Sequence, residues 1–206
     1  ELLRYCDEVV LNVRSDNPPA IQAYMYEFVR VASHEFDLVL SLGGPDLVAA
    51  PNIMHWSWGS SWVPLPEWAM YPKTRLCSII ASNQKFAPGH RLRHDAVALI
   101  QDKDFPCDIL GHGYKPFGWK KEGLADYMFS IVVENSVTGR YMTEKIMDAL
   151  ACGTVPVYWG SAYAKEVFGD AIITWDTLEE LQALLPTLTP ALYERMRPAV
   201  EAAQAT

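Results

Sequence analysis

The sequence lacks the patterns that mark several common protein classes. No run of about 18 apolar residues occurs, so an ordinary membrane-spanning helix is not expected. The 4 cysteines are scattered, without the C-x-x-C or Cys/His spacing of a metal site. Repeats, low-complexity tracts, runs of like charge and N-x-(S/T) sequons are also missing. These absences favour a globular protein that requires neither a metal nor another cofactor.

Positive charge is scarce as well. Lys and Arg number 17 against 25 Asp and Glu, which gives a net charge of −8 over 206 residues. A nucleic-acid-binding surface needs a basic face, so this balance argues against nucleic acid as a partner. With 50% hydrophobic residues, the chain can bury a substantial core. Because the sequence has neither a membrane-spanning apolar run nor an N-glycosylation sequon, we expect a cytoplasmic protein, or a membrane-associated or lumenal one if an anchor precedes Glu1.

The most informative stretch is 129–160, which reads FSIVVENSVTGRYMTEKIMDALACGTVPVYWG. An apolar run ends at the polar turn Glu134–Ser136, a helical segment opens near Tyr141, and a second apolar run follows at 154–158. This pattern predicts a strand, a loop, a helix and a second strand. In open α/β sheets ligands bind at the carboxyl ends of strands, so the polar turn occupies the position of a binding site.

The helix predicted over 141–152 has an apolar face that suits packing on a sheet. That face consists of Met142, Ile146, Ala149 and Leu150. Glu144 suits the first turn, because exposed N–H groups there favour negative charge, whereas Lys145 does not. Lys145 either pairs with Glu144 or Asp148, extends into water, or completes a site for an anion such as phosphate.

A second predicted helix, over 89–101, also begins with basic residues. It follows a predicted buried strand, and its first turns contain two arginines and two histidines: His90, Arg91, Arg93 and His94. Taken alone, these residues are equally well explained as a solvated basic turn. Two such helix starts in one sheet favour a diphosphate held from both sides.

Strands alternating with helices predict an α/β fold with a parallel, doubly wound sheet. The predicted strands are 76–82, 107–111, 128–134, 154–158 and 171–174, and further helices are 120–126, 162–168, 177–186 and 190–204. Before them, a strand at 9–13, a helix at 21–33 and a strand at 36–42 form a shorter α/β piece, and 51–75 is predicted to be an irregular connection. We therefore expect an N-terminal domain with its linker at 1–72 and a Rossmann-like domain at 73–206.

The block 134–160 resembles the signature of family 10 glycosyltransferases, the α-1,3/α-1,4-fucosyltransferases. In that family a strand ending in F-E-N-S precedes a Y-(I/V)-T-E-K helix and then G-(T/V)-(V/I)-P-(V/I)-Y-W-G. The segment Lys73–Arg93 is similar to the family's K…S-N…R region, and the resemblance extends roughly over 36–185. It implies a GT-B-like fold and inverting transfer of a sugar to a glycan hydroxyl, with GDP-fucose as the favoured donor.

The resemblance also implies roles for individual residues. By this resemblance, Arg93 and Lys145 contact the donor diphosphate. Tyr141 and Glu144 hold the ribose, and Glu134 and Asn135 line the sugar or phosphate pocket. Arg140 replaces the acidic residue or glycine that often precedes the family tyrosine, so it is a candidate for a third phosphate contact or for a change in sugar preference. Taken singly, Glu134 and Asn135 also fit a simple strand-ending turn.

The general base is less clearly marked. The family's catalytic glutamate lies in the N-terminal domain, in a loop after a strand, and Asp16 occupies a comparable place. Asp16 equally suits a helix cap, and Glu27, Asp37 and Asp46 are alternatives. Asp16 and Glu134 are thus the candidate catalytic carboxylates. The competing functions are transfer of another activated sugar and non-catalytic binding of a nucleotide sugar or glycan.

Overall fold

The computed structural model describes residues 10–13, 19–41, 49–56 and 61–205. The first three ranges contain a small parallel sheet of order β1-β2-β3, with strands Val10–Val13, Leu38–Ser41 and Ile53–His55. Helix α1, Pro19–Ala32, connects β1 to β2. The buried apolar side chains described in this unit are Tyr26, Val29, Val39 and Ile53. The strand β3 corrects the expectation that 51–75 is irregular throughout: three of its residues pair with β2.

Residues 61–205 form a parallel five-stranded sheet with flanking helices, as the sequence predicts. Its strand order is β5-β4-β6-β7-β8. The strands are β4 Arg75–Ile80, β5 Cys107–Leu110, β6 Tyr127–Val133, β7 Val155–Trp159 and β8 Ile173–Thr174. The helices are α2 Pro88–Asp102, α3 Glu144–Ala151, α4 Tyr163–Phe168, α5 Leu178–Leu184 and α6 Pro190–Gln204.

The strand order fixes where a ligand can bind. Helix α2 connects β4 to β5, and α3 connects β6 to β7 in the opposite direction across the sheet. Right-handed crossovers therefore place α2 and α3 on opposite faces of the sheet. In agreement, α2 packs with α5, whereas α3 packs with α6. The chain reverses its direction of winding between β4 and β6. Such a switch point opens a crevice at the carboxyl ends of the two strands.

Two of the predicted helices differ from the structure by more than small shifts at their ends. The segment predicted as a helix over 120–126 is a short 3-10 turn, Lys120–Gly123. Its backbone lies directly on the sheet, because a Cβ at Gly123 would come within 2.9 Å of the Ile80 side chain. Helix α3 begins at Glu144 rather than at 141. Its predicted apolar face is confirmed for Ile146, Ala149 and Leu150, which are buried, and Met142 is buried just before the helix.

Among the described helices, none combines the length and the apolar character that crossing a membrane requires.

Candidate functional site

A pocket of about 190 Å³ lies at the switch point between β4 and β6. Its walls come from Ile80 and Ser82 at the end of β4, from 130–133 in β6 and from Leu124. The charged residues that line it are all cations: Arg93, Lys120 and Lys145. In a chain with a net charge of −8, this local concentration of positive charge suits an anionic ligand.

Arg93 reaches the pocket from the second turn of α2. Its Nε and Nη2 donate to the carbonyl oxygen of Val133 at 3.0 and 2.6 Å, and Nη2 also donates to Asn135 Oδ1 at 2.8 Å. These acceptors are uncharged. Burial lowers the pKa of Arg93, although the carboxylates of Glu134 and Glu144 act in the opposite direction. A buried guanidinium in such surroundings is stabilised by an anion that enters the pocket.

Glu134 organises the start of α3. Its side chain is fully buried, Oε1 accepts the backbone N–H of Thr143 at 2.9 Å, and Oε2 accepts the Thr143 hydroxyl at 2.7 Å. Lys145 Nζ donates to Thr143 Oγ1 at 3.0 Å and lies 3.4 Å from Glu134 Oε2. The carboxylate therefore acts on Lys145 both directly and through Thr143, and both of its oxygens are engaged.

Glu144 completes this group at the first residue of α3. Its Oε1 lies 3.2 Å from Lys145 Nζ, so the ion pair anticipated from the sequence is present while Lys145 also lines the pocket. Burial alone would raise the pKa of Glu144, but the ammonium groups of Lys145 and Lys120 outweigh it and lower the pKa. The carboxylate is thus held in its charged form beside the cations.

The start of α2 packs tightly on the loop after β6. The N–H of Gly89 donates to the Asn135 carbonyl oxygen at 2.9 Å, and a Cβ at this position would lie 1.8 Å from the Glu134 carbonyl oxygen. Only glycine permits this approach. Of the four basic residues predicted here, the structure brings Arg93 into the pocket, whereas Arg91 is exposed and donates to backbone carbonyls at 3.2 and 3.3 Å.

The two histidines of this helix start have other partners. His90 is buried, its Nδ1 accepts the N–H of Ala87 at 3.3 Å, and burial followed by the charge of Arg93 lowers its pKa. His94 Nδ1 lies 2.6 Å from the Tyr114 hydroxyl. The basic cluster of the sequence thus contributes one cation to the pocket lining.

Lys120 is a pocket residue that sequence reasoning missed. Its Nζ lies 3.5 Å from Oδ2 of Asp148, whose side chain is fully buried in α3. Asp148 Oδ1 accepts the Ser61 hydroxyl at 2.8 Å and the Trp62 N–H at 2.7 Å. Burial raises the pKa of Asp148, against the influence of Lys120. No local motif distinguishes Lys120 from the neighbouring lysine.

The remaining predicted site residues have different positions. Tyr141 is buried three residues before the start of α3, where burial and then the charge of Glu134 raise its pKa. Arg140 is exposed, and its guanidinium lies 5.1 Å from the ring centroid of Tyr163 rather than in the pocket lining. Asp16 and Asp46 lie outside the described residues.

A model of glycosyltransferase family 10 (fucosyltransferase), C-term, matches residues 70–193, which is more than half of the chain. The chain belongs to glycosyltransferase family 10. Every lining residue of the cationic pocket in this family 10 chain falls inside the matched range. The resemblance predicted from the sequence is therefore confirmed.

Individual relatives agree with this assignment. The α-(1,3)-fucosyltransferase FucT of Helicobacter pylori is 36% identical over 92 residues, which cover 43% of the family 10 chain and 18% of FucT. A crystal structure of α1,3-fucosyltransferase with GDP-fucose is 27% identical, with a TM-score of 0.50 over 61% of this chain and 38% of that one. A structure of α1,3-fucosyltransferase with GDP is 18% identical, with a TM-score of 0.57 over 91% of this chain and 64% of that one.

The alignment thus spans less than two thirds of each of these relatives. Their likeness confirms the predicted GT-B-like α/β fold.

Proposed function

We propose that this chain is an inverting glycosyltransferase that transfers a sugar to a glycan hydroxyl, with GDP-fucose as the favoured donor. The observation that carries the proposal is the meeting of Arg93, Lys120 and Lys145 at one switch-point pocket. The name of FucT and the GDP-fucose bound to a solved relative support a GDP-sugar as the donor. In this proposal residues 73–206 bind the donor and 1–72 form the acceptor side.

The reaction needs stabilisation of a departing diphosphate. A base removes the acceptor hydroxyl proton, the oxygen attacks the anomeric carbon, and the bond from that carbon to the diphosphate oxygen breaks on the opposite side. Negative charge grows on the diphosphate as the sugar becomes oxocarbenium-like. Preorganised charges aimed at such a group are worth roughly 3 kcal/mol each. We assign this role to Arg93 and Lys145.

The other residues have supporting roles in this proposal. Asn135 orients Arg93 through its Oδ1, and Tyr141 and Glu144 hold the ribose. Glu134 is assigned to positioning rather than to proton transfer, because both of its oxygens accept hydrogen bonds from Thr143. Arg140 remains a candidate for sugar preference.

Binding of the donor is tested by titration calorimetry with GDP, UDP and their sugars. The chain is expected to prefer GDP over UDP, and Arg93→Ala is expected to weaken GDP binding by about tenfold or more. Arg91→Ala is the matched control, because Arg91 lies in the same helix but outside the pocket lining. A preference for UDP would indicate another donor, and equal losses in the two variants would remove Arg93 from the site.

Catalysis is tested separately with Asp16→Asn. Donor hydrolysis and transfer are expected to fall sharply while GDP affinity is unchanged, because a base acts on the acceptor rather than on the diphosphate. Turnover that survives this change would move the base to another carboxylate. Tight GDP binding without turnover on any acceptor would instead identify a non-catalytic binding module.

A further inference from the structure

The backbone turn that carries Lys120 is hydrogen-bonded to the central sheet. Its 3-10 turn ends at Gly123, whose carbonyl oxygen accepts the Ser78 hydroxyl of β4 at 2.8 Å. The Lys120 side chain is 24% exposed and lines the same pocket as Arg93 and Lys145. Its ammonium also acts on Glu144, as that of Lys145 does. Lys120 therefore extends the cationic surface rather than the solvent-exposed face of the domain.

Asp148 supplies the independent observation. Its side chain is fully buried, and Oδ1 accepts two hydrogen bonds from Ser61 and Trp62. Within residues 61–205, Oδ2 has no hydrogen-bond partner, and Lys120 Nζ lies 3.5 Å from it. A buried carboxylate oxygen in this state is costly unless a cation offsets it. The geometry thus directs the ammonium of Lys120 to a fixed place in the pocket wall.

We infer that Lys120 is a third cation for the donor diphosphate and that Asp148 is the residue that positions it. The inference rests on the proposed function. An ammonium has three N–H donors, so its contact with Asp148 leaves donors for a phosphate oxygen in the pocket. Because Asp148 also holds Ser61 and Trp62, it joins the diphosphate site to the segment that follows the small N-terminal sheet.

The role of Lys120 is tested by titration calorimetry of the native chain, Lys120→Met and Lys121→Met with GDP and with guanosine. Lys120→Met is expected to weaken GDP binding by about tenfold to a hundredfold and to leave guanosine binding unchanged. Lys121 is the matched control, because its ammonium pairs with Glu67 outside the cationic pocket. Equal effects of the two substitutions on GDP, or an equal loss of guanosine binding in Lys120→Met, would overturn the inference.

Asp148→Asn tests positioning, because it removes the charge but retains an oxygen that can accept the Ser61 and Trp62 hydrogen bonds. Its amide group would repel the ammonium of Lys120, so GDP binding is expected to weaken by about threefold to tenfold. In a Lys120→Met background the same change is expected to have no further effect. Tighter binding by Asp148→Asn, or an undiminished effect in the double variant, would show that Asp148 does not act through Lys120.

A measurement on Lys120→Met remains decisive if Asp148→Asn does not fold. Loss of the ammonium leaves the buried carboxylate of Asp148 uncompensated, so the stability of this variant relative to the native chain is expected to rise as the pH falls from 7 toward 5. Parallel stability profiles would contradict the pairing. Absence of GDP binding by the native chain would refute the proposed function itself, and the inference with it.

Discussion

The buried carboxylate of Glu134 holds Thr143 by two hydrogen bonds, from the backbone N–H at 2.9 Å and from the hydroxyl at 2.7 Å. Thr143 is the residue immediately before α3, so the end of β6 determines where this helix begins. Lys145 then lies 3.4 Å from the same carboxylate. One acidic side chain thus fixes both a helix start and the position of a pocket cation.

Glu134→Gln is expected to destabilise the fold by about 2 kcal/mol, because a buried amide cannot replace both acceptor oxygens beside an ammonium. GDP binding should weaken as well, since Lys145 loses its support. Urea unfolding and calorimetry measure the two effects. Glu180→Gln is the control, because the Glu180 carboxylate accepts the Asp176 N–H at the exposed start of α5. Equal losses in the two variants would argue against a special role for Glu134.

Gly89→Ala is expected to destabilise the fold by about 2 kcal/mol or more, since the added Cβ would collide with the Glu134 carbonyl oxygen. This outcome opposes the usual gain from alanine in a helix. Gly118→Ala is the comparison, because the Cβ there would meet only the flexible Glu122 side chain at 3.4 Å. Urea unfolding of both variants measures the difference, and an unchanged midpoint for Gly89→Ala would contradict the close packing of α2 on the loop.

Lys73 is expected to make stability depend on pH above neutrality. Its ammonium donates to Ala125 O, Cys152 O and Thr154 Oγ1, yet burial lowers its pKa from 10.5 to about 8. Between these two values the unfolded chain binds a proton that the folded chain does not, so this group makes stability rise with pH.

Comparison of the native chain with Lys73→Met isolates this contribution, because other titrating groups are common to both. The stability of the native chain relative to the variant should rise by on the order of 2 kcal/mol as the pH goes from 8 to 10.5. A difference that stays flat or falls over this range would show that Lys73 is not buried as described.

Lys145→Ala is expected to weaken GDP binding by about tenfold or more, because the variant removes a cation from the pocket. It also removes the cation beside the buried Glu134 carboxylate, so the chain should still fold but with reduced stability. Lys165→Ala serves for comparison, since Lys165 lies in α4 and donates to the Gly169 carbonyl oxygen. Calorimetry and circular dichroism separate binding from folding. Unchanged GDP affinity would exclude Lys145 from the diphosphate site.

The five-stranded sheet could be predicted because its signals are local. Apolar runs of strand length alternate with helical stripes, and the apolar residues predicted to face the sheet from α3 are buried. The two helix starts near the pocket could also be recognised in the sequence, because each has cations at its N-terminus, where positive charge is unfavourable. These local conflicts in the sequence correspond to Arg93 and Lys145 in the pocket lining.

What escaped prediction depends on contacts distant in the chain. The start of α3 moves past Tyr141 because Glu134 holds Thr143 before the helix begins. Lys120 is paired with Asp148, which lies in α3, far away in the sequence. The sequence around Lys120 itself shows only two adjacent lysines. The strand β3 is only three residues long and lies in a segment rich in proline and tryptophan, so it is too short for a periodic sequence pattern to predict it.

The lining of the cationic pocket comes entirely from residues between Ile80 and Lys145, on one sheet and its crossovers. If the proposed division of roles holds, exchange of the small N-terminal sheet by recombination upstream of Ser61 would replace the proposed acceptor side and leave all of these lining residues unchanged.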